Sequence, residues 1–306
     1  MGNILSNHQY GKAETHLVRI VRDTARHEIR DLNVTTALRG DFEAAYLAGD
    51  QSAVLPTDTQ KNTAYAFAKT YGISSPEAYG LTLASHFVED VAPVSGARVE
   101  IEEFTWARAT VDGVEHDHTW TRTGPTIRTA AITVEQTPAG ITQQVIGGIK
   151  DFVILKSTGS EFAGFLTDEY TTLQETHDRV MATSLVAKWR FDPAAVAAGT
   201  IDWEAVYPAV IDILVREFAT LQSLALQQTL WHMGTAVLDA IPAIVEIRMA
   251  APNKHHFVVD FSSFGLENDN EVFHADDRPY GLIEATIARD DAPDAGSAWR
   301  VSAGLA

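Results

Sequence analysis

The sequence predicts an α+β protein in which antiparallel sheets carry helices on one face. Three observations predict it. Long strand-like runs follow one another across hairpin signals such as Asp112-Gly113. Helical runs come in pairs and carry apolar stripes. The order two strands, two helices, two strands is read twice along the 306 residues. Such a repeat suggests a structural duplication, with one domain over residues 1–139 and a second over 140–306. Open sheets leave pairing edges, so a symmetric oligomer is expected.

In chain order, the first strand is expected over residues 10–23, around Leu17, Val18, Ile20 and Val21. Its hairpin partner covers 27–42, with Ile29, Leu32, Val34 and Leu38. Residues 43–57 read as a loop. Asp58 is the expected N-cap of a helix running through residue 69 and stopping at Gly72. Ser75-Pro76-Glu77 opens a second helix: a capping serine, proline at the first helical position and an acid in the first turn. Leu81, Ala84, Phe87, Val88 and Val91 recur there at helical spacing, up to Pro93. Strands follow at 98–109, 119–122 and 127–134, the last two separated by a Gly124-Pro125 break.

The second half opens with a strand at 141–155, interrupted by Gly147-Gly148. Thr167-Asp168-Glu169 is expected to begin a helix reaching about Met181, followed by a strand at 184–191. A helix over 203–221 shows Val206, Val210, Ile213, Leu214 and Phe218 on one side, although Pro208 disfavours its first turns. Ser223 starts the next helix, with Leu226, Leu230, Met233 and Val237, ending near Pro242. Strands at 243–249 and 257–261 then flank the polar cluster Asn253-Lys254-His255-His256, and a last strand covers 282–288. Alternation along a strand puts Asn253 and His255 on one face, and Lys254 and His256 on the other.

Composition narrows the function classes. Hydrophobic residues make up 45% and charged residues 21%, the profile of an ordinary globular protein. A formal net charge of -18 argues against nucleic acid and against anionic membrane surfaces, both of which need a basic footprint. The chain has no cysteine, which removes disulfides, thiolate metal sites and thiol nucleophiles. No apolar run approaches a membrane span. Residues 1–7 lack the basic start and apolar run of a signal peptide, and Ala303-Gly304-Leu305-Ala306 does not match the peroxisomal Ser-Lys-Leu signal, so a cytoplasmic location is expected.

Several residues stand out as candidates for chemistry, each with a plain structural alternative. Lys12 follows Gly11 in a polar stretch and reads equally as a solvated lysine. Thr57 precedes a helix start, where free backbone N–H groups bind anions or carbonyl oxygens, or it simply belongs to the capping turn. Arg179 and Gln227 have apolar neighbours; a guanidinium and a carboxamide together can clamp a flat heterocycle, while Arg179 alone can pair with a carboxylate. Phe162 can stack on such a ring or fill the core. Asn253 and His255 bring an amide and an imidazole to a strand end. His116 and His118 are spaced to share a strand face as metal ligands, but they follow a turn beside Glu115 and Asp117 and read better as solvated. There is no phosphate loop, dinucleotide fingerprint, His-Glu-x-x-His or Gly-x-Ser-x-Gly.

Taken together, these stretches resemble the urate oxidase (uricase) family, of the bacterial type, over nearly the whole chain. The carriers are Tyr10-Gly11-Lys12, Thr57-Asp58-Thr59-Gln60-Lys61-Asn62-Thr63, and the run from Glu161 through Leu173 (EFAGFLTDEYTTL). Asp178-Arg179, Leu226-Gln227-Gln228-Thr229, Pro252-Asn253-Lys254-His255 and Asn270-Glu271-Val272-Phe273 complete the set. Each short piece is weak alone; all of them in the family's order are specific.

The resemblance implies two tandem tunnelling-fold domains per subunit and a barrel-like homotetramer with active sites at subunit interfaces. It implies oxidation of urate by O2 and water to 5-hydroxyisourate and H2O2, with no metal and no organic cofactor, O2 being a co-substrate. It further implies a proton relay of Lys12, Thr57 and His255, and a substrate clamp of Arg179 and Gln227. Phe162 would lie under the ring, Thr57 and Asp58 would bind its other end from the neighbouring subunit, and Leu226 and Ile283 would wall the pocket. Thr57 and Asn253 would hold O2 or water above the ring. Leu226 and Trp231 stand where some relatives carry valine and tyrosine, which bears on pocket shape. Two readings compete with this one: a zinc-dependent tunnelling-fold enzyme acting on pterins or GTP, for which only the His116/His118 pair speaks, and a purine-binding protein that has lost the chemistry, which the presence of Lys12, Thr57 and His255 opposes.

Overall fold

The computed structural model describes residues 2–300. Met1 and residues 301–306 lie outside them, and with them the C-terminal tetrapeptide read above for a targeting signal. Eight strands form one antiparallel sheet in strict sequence order. They are β1 (Tyr10–Val21), β2 (Glu28–Gly40), β3 (Val94–Val111), β4 (Val114–Thr137), β5 (Gly140–Lys156), β6 (Met181–Phe191), β7 (Ile244–Val258) and β8 (Phe273–Ala288). The expectation of a separate sheet in each half is corrected: β4 and β5 pair from Ile127↔Lys150 to Thr137↔Gly140, so the sheet is continuous.

The helices are α1 (Glu43–Ala48), α2 (Thr57–Thr70) and α3 (Pro76–Asp90) between β2 and β3, and α4 (Pro193–Ala197), α5 (Trp203–Thr220) and α6 (Leu226–Ala240) between β6 and β7. They cover the sheet face carrying Leu32, Val34, Val99, Ile101, Ile132, Trp189, Ile247 and Met249, all within one buried cluster with Leu83, Phe87, Leu214 and Met233. Gly80 shows how tightly α3 sits. A Cβ there would lie 2.4 Å from Ile132 Cδ1. Glycine costs a helix about 1 kcal/mol. Burying Leu83 and Phe87 on that face returns roughly 1.5–3 kcal/mol each, so close approach wins.

Several sequence expectations need correction. Ser75 caps α3, its hydroxyl accepting the Ala78 amide at 3.0 Å, but Asp58 is not the cap of α2. Pro56 holds that position, and Asp58 instead binds Lys61 at 2.5 Å and Asn62 at 3.0 Å. Within the stretch 43–57, read as loop, α1 forms; it buries no side chain, so it carries no apolar stripe to betray it. The Gly124-Pro125 break is a register shift inside continuous β4, where Phe104↔Ile127 gives way to Trp106↔Arg122. Gly147 and Gly148 do not interrupt β5. A Cβ on Gly147 would lie 2.5 Å from the Trp189 indole nitrogen, so the glycine makes room for that ring. The irregularity falls later, between Ile149 and Phe152. Pro208 sits inside an unbroken α5, started by Asp202, whose carboxylate accepts the Ala205 amide at 3.1 Å. Ser223 lies before α6 and is not its cap; Ala225 is.

The helix expected from Thr167 to Met181 is absent. Asp168 turns the chain on itself, accepting the Tyr170 amide at 3.0 Å and the Thr171 hydroxyl at 2.9 Å. Thr176 then pairs with Phe162 through two backbone bonds of 2.8 and 3.0 Å. The segment is an extended loop pinned to its own start, and Arg179 ends it.

A buried ion network joins the two halves. Arg128 on β4 donates to Glu77 on α3 at 2.8 Å and to Glu204 on α5 at 2.7 Å, with its guanidinium 4.4 Å from the Tyr207 ring. Arg30 on β2 bonds Glu103 at 2.7 Å and the same Glu204 at 2.8 Å. Among the described residues no helix is long and apolar enough to cross a membrane.

Candidate active site

The polar cluster of the sequence is not two strands with a break. β7 runs through it, pairing with β6 at Thr183↔Asn253 and Ala182↔Lys254. Opposite, the register on β8 jumps from Asn253↔Gly281 to His255↔Asp276. This irregularity disturbs simple alternation, and Asn253, His255 and also His256 face one cavity.

That cavity encloses about 720 Å³. It is lined by Phe162, Arg179, Leu226, Gln227, Asn253, His255 and Ile283 together with Thr172, Thr176, Asn270 and Phe273. Four elements deliver these groups: the loop after β5 (Phe162, Arg179), the first turn of α6 (Leu226, Gln227), the bent region of β7 (Asn253, His255) and β8 (Ile283). Arg179 therefore stands on a loop, not on the expected helix, whereas Gln227 is helical. The Arg179 guanidinium lies 5.4 Å from the Phe162 ring, which itself stacks on Phe165 at 5.0 Å and 14°. No carboxylate pairs with Arg179 among the described residues, and burial pulls its guanidinium below the usual arginine range. Burial, and next the Arg179 charge, push His255 below the ordinary imidazole value of 6.5, against the opposing pull of Asp276. The cavity thus offers an unpaired cation, a neutral imidazole, two carboxamides and an aromatic face.

Lys12, Thr57 and Asp58 do not line it. Thr57, the first residue of α2, borders a separate hollow with Tyr10, Tyr46 and Pro56. Lys12 pairs with Thr36 on β2, its amide donating to the Thr36 hydroxyl at 3.3 Å. That hydroxyl bonds the fully buried Gln60 of α2 at 2.7 Å, which ties Lys12 to the helix carrying Thr57. Lys61 and, more weakly, Lys12 hold the Asp58 carboxyl below its usual range. One chain therefore presents two separate groups of candidates, one that includes the first turn of α2 and one that includes the first turn of α6.

Sequence reasoning missed Thr172, Thr176 and His256 as lining residues; the first two sit in the stretch misread as helix. Asn270 and Phe273 appeared only as carriers of the resemblance. His116 and His118 have rings 4.4 Å apart at the β3–β4 end. Among the described residues no group of three or more His, Asp or Glu side chains is placed to hold a metal ion.

His255 keeps its neutral, proton-accepting form as pH falls through 6.5, because burial and Arg179 both disfavour the imidazolium. Arg179→Gln removes the second of these, so the His255 titration moves upward. NMR titration of ring-labelled histidines reads both shifts; a His255 midpoint at or above 6.5 in the unaltered protein contradicts the geometry.

Fold and cavity define an α+β protein with a polar, aromatic-lined site for a small molecule. A family model described as Uricase matches residues 8–133 and 145–284. The uricase of Arthrobacter globiformis is 50% identical over 302 residues, spanning 99% of this chain and 95% of its own. The uricase of Cyberlindnera jadinii is 35% identical over 302 residues, spanning 95% and 99%. The crystal structure of the Arthrobacter globiformis uricase matches with a TM-score of 0.89 at 49% identity, covering 96% of this chain and 98% of that one. The chain belongs to the uricase family and is an enzyme that oxidises urate.

Proposed function

We propose that the protein oxidises urate with O2 and water to 5-hydroxyisourate and H2O2, without metal or organic cofactor, as a step in purine breakdown. One observation carries this reading in its finer form. Phe162, Arg179, Leu226, Gln227, Asn253, His255 and Ile283 share one cavity, while Thr57 borders a separate hollow and Lys12 acts electrostatically on the adjoining Asp58. The two groups together make a complete site when the second comes from a neighbouring copy. The enzyme is accordingly a homotetramer of two-domain subunits, residues 1–139 and 140–306, each domain of the tunnelling fold, with active sites at subunit interfaces. The unpaired edges of β1 and β8 suit such an assembly.

In this reading Arg179 and Gln227 hold the pyrimidine edge of urate by paired hydrogen bonds, an arrangement suited to an anion with flat geometry. The Phe162 ring lies under the substrate. Thr57 and Asp58 bind its far end, and Leu226 and Ile283 close the sides. The chemistry moves two electrons from urate to O2, which leaves as H2O2. The oxygen of water becomes the hydroxyl at C5, and the protons lost from urate and water balance those gained by the peroxide. Stripping a further proton from the urate anion makes it a better electron donor. Lys12, the Thr57 hydroxyl and neutral His255 carry that proton as a relay through a water. Asn253 and Thr57 hold O2, and then the attacking water, above the ring.

The test is loss of urate ultraviolet absorbance with O2 uptake on chelator-treated protein. The expected result is turnover with equimolar oxygen consumption and peroxide release. Loss of activity on chelation sinks the cofactor-free reading. Binding of urate without turnover sinks the relay.

A further inference from the structure

Backbone and side chain of Arg179 converge on one buried serine. The Arg179 amide donates to the Ser160 carbonyl at 2.8 Å, and its Nε–H donates to the Ser160 hydroxyl at 3.3 Å. Ser160 is 0% exposed. It forms a parallel bridge with Ser223, also 0% exposed, through a Glu161 amide bond to the Ser223 carbonyl at 2.8 Å and a Ser223 amide bond to the Gly159 carbonyl at 2.9 Å. The Ser223 hydroxyl in turn lies 2.8 Å from that of Thr229 on α6 and donates to the Ala225 carbonyl at 3.1 Å. Ala225 immediately precedes Leu226 and Gln227. Behind both serines lies the sulfur of Met181, 3.6 Å from one hydroxyl and 3.7 Å from the other.

A guanidinium has five N–H donors, and the edge it offers depends on which of them is already taken. Ser160 takes Nε–H, and the Phe162 ring limits the tilt of the guanidinium plane. What remains for the cavity is the end-on pair at Nη1 and Nη2. The same buried linkage sets where α6 begins, hence where Gln227 stands. Arg179 on a loop and Gln227 on a helix are otherwise unconnected in sequence.

We propose that Ser160, backed by Ser223 and Thr229, is a positioning device that holds Arg179 and Gln227 at one spacing and orientation, so that they close on a flat heterocycle as a pair. This rests on the reading of Arg179 and Gln227 as the substrate clamp. The hydroxyls touch no substrate; they act through the two clamp residues. Their loss therefore falls on binding and leaves the proton relay alone.

The test is a double-mutant cycle read by urate kinetics and by binding of xanthine, which carries the same pyrimidinedione edge and lacks the oxygen at C8. Ser160→Ala raises the urate KM and the xanthine Kd about tenfold, the worth of one charge-assisted hydrogen bond, with kcat little changed. Added to Arg179→Ala, it weakens binding no further. Unchanged affinity in Ser160→Ala, or an undiminished effect on the Arg179→Ala background, overturns the proposal; the second outcome marks a general packing defect. If Arg179→Ala itself binds xanthine normally, the clamp reading fails instead, and the two failures are distinct. Thr229→Val keeps the side-chain shape and deletes only the hydroxyl. Its cycle against Gln227→Ala gives the same non-additive loss of affinity and decides the matter should Ser160→Ala fail to fold.

Discussion

Lys12→Ala protein and Arg179→Ala protein, each nearly inactive alone, regain urate oxidation when they are unfolded and refolded together. On the proposed relay, Lys12→Ala loses roughly a hundredfold to ten-thousandfold in kcat, the usual worth of a positioned proton-transfer group. It still binds xanthine. On the proposed clamp, Arg179→Ala loses affinity, since a half-buried charge-assisted fork is removed. If each site draws Lys12 and Thr57 from one copy and Arg179 and Gln227 from another, random mixing leaves about a quarter of the sites with both intact halves, a consequence of closed symmetry. The measurement is urate turnover of the co-refolded mixture against each variant refolded alone. No recovery, with assembly confirmed by sedimentation, means that one chain supplies both halves and the interface reading is wrong. The basis is geometric: Thr57 and His255 border different hollows of the same subunit.

Arg128→Met destabilises the fold by about 3–5 kcal/mol, the typical cost of removing one partner from a buried ion pair. Arg128 is 5% exposed and Glu77 2%. Burial already raises the Glu77 carboxyl above its usual range, and Arg128 is the main group opposing that rise. Without the guanidinium, Glu77 loses its ion-pair partner among the described residues, and Glu204 keeps Arg30. The pH dependence has a definite sign. A carboxyl whose folded value is raised favours the fold when protonated, so its penalty appears as pH rises through that value and fades as pH falls. The deficit of Arg128→Met thus shrinks on acidification, and Glu77→Gln added to it recovers part of the loss at neutral pH. Denaturant unfolding followed by tryptophan fluorescence reads these changes. Equal stability of variant and parent at neutral pH would remove the network from the list of forces joining the halves.

Much of this architecture was legible because physics wrote it locally. Ser75-Pro76-Glu77 caps a helix wherever it occurs, and the apolar stripe through Phe87 declares which face is buried. Val99 and Ile101 alternating with Arg98, Glu100 and Glu102 announce a sheet with one covered face. The misread pieces share a cause: their form is decided by partners distant in sequence. Thr167 to Met181 has a capping pattern, yet Thr176 finds its backbone partner in Phe162 and Arg179 finds Ser160. Likewise Gly147 looks like a break until Trp189 is seen to lie across it. Among the candidate residues, the resemblance named Phe162, Arg179, Leu226, Gln227, Asn253, His255 and Ile283, which line the cavity, but also Lys12, Thr57 and Asp58, which do not. No local pattern marks Ser160, Ser223 or Thr229, since a buried hydroxyl declares itself only through what it touches.

The strict order of the sheet has a kinetic consequence. The pairings β1–β2, β3–β4 and β4–β5 meet across short turns and are cheap in loop entropy. The loops 157–180 and 259–272 make β5–β6 and β7–β8 costlier, and the two longest closures are Leu32 to Glu103 and Ala182 to Lys254, across the segments that contain α2–α3 and α5–α6. The rate of folding is governed by these two long closures, because non-local pairing costs chain entropy before it is rewarded by contact. Thr57 and Gln227 sit within those same two segments. The segments that wait longest for their strands therefore hold two of the proposed substrate-binding residues, and on that proposal catalytic competence is the last property a refolding chain acquires.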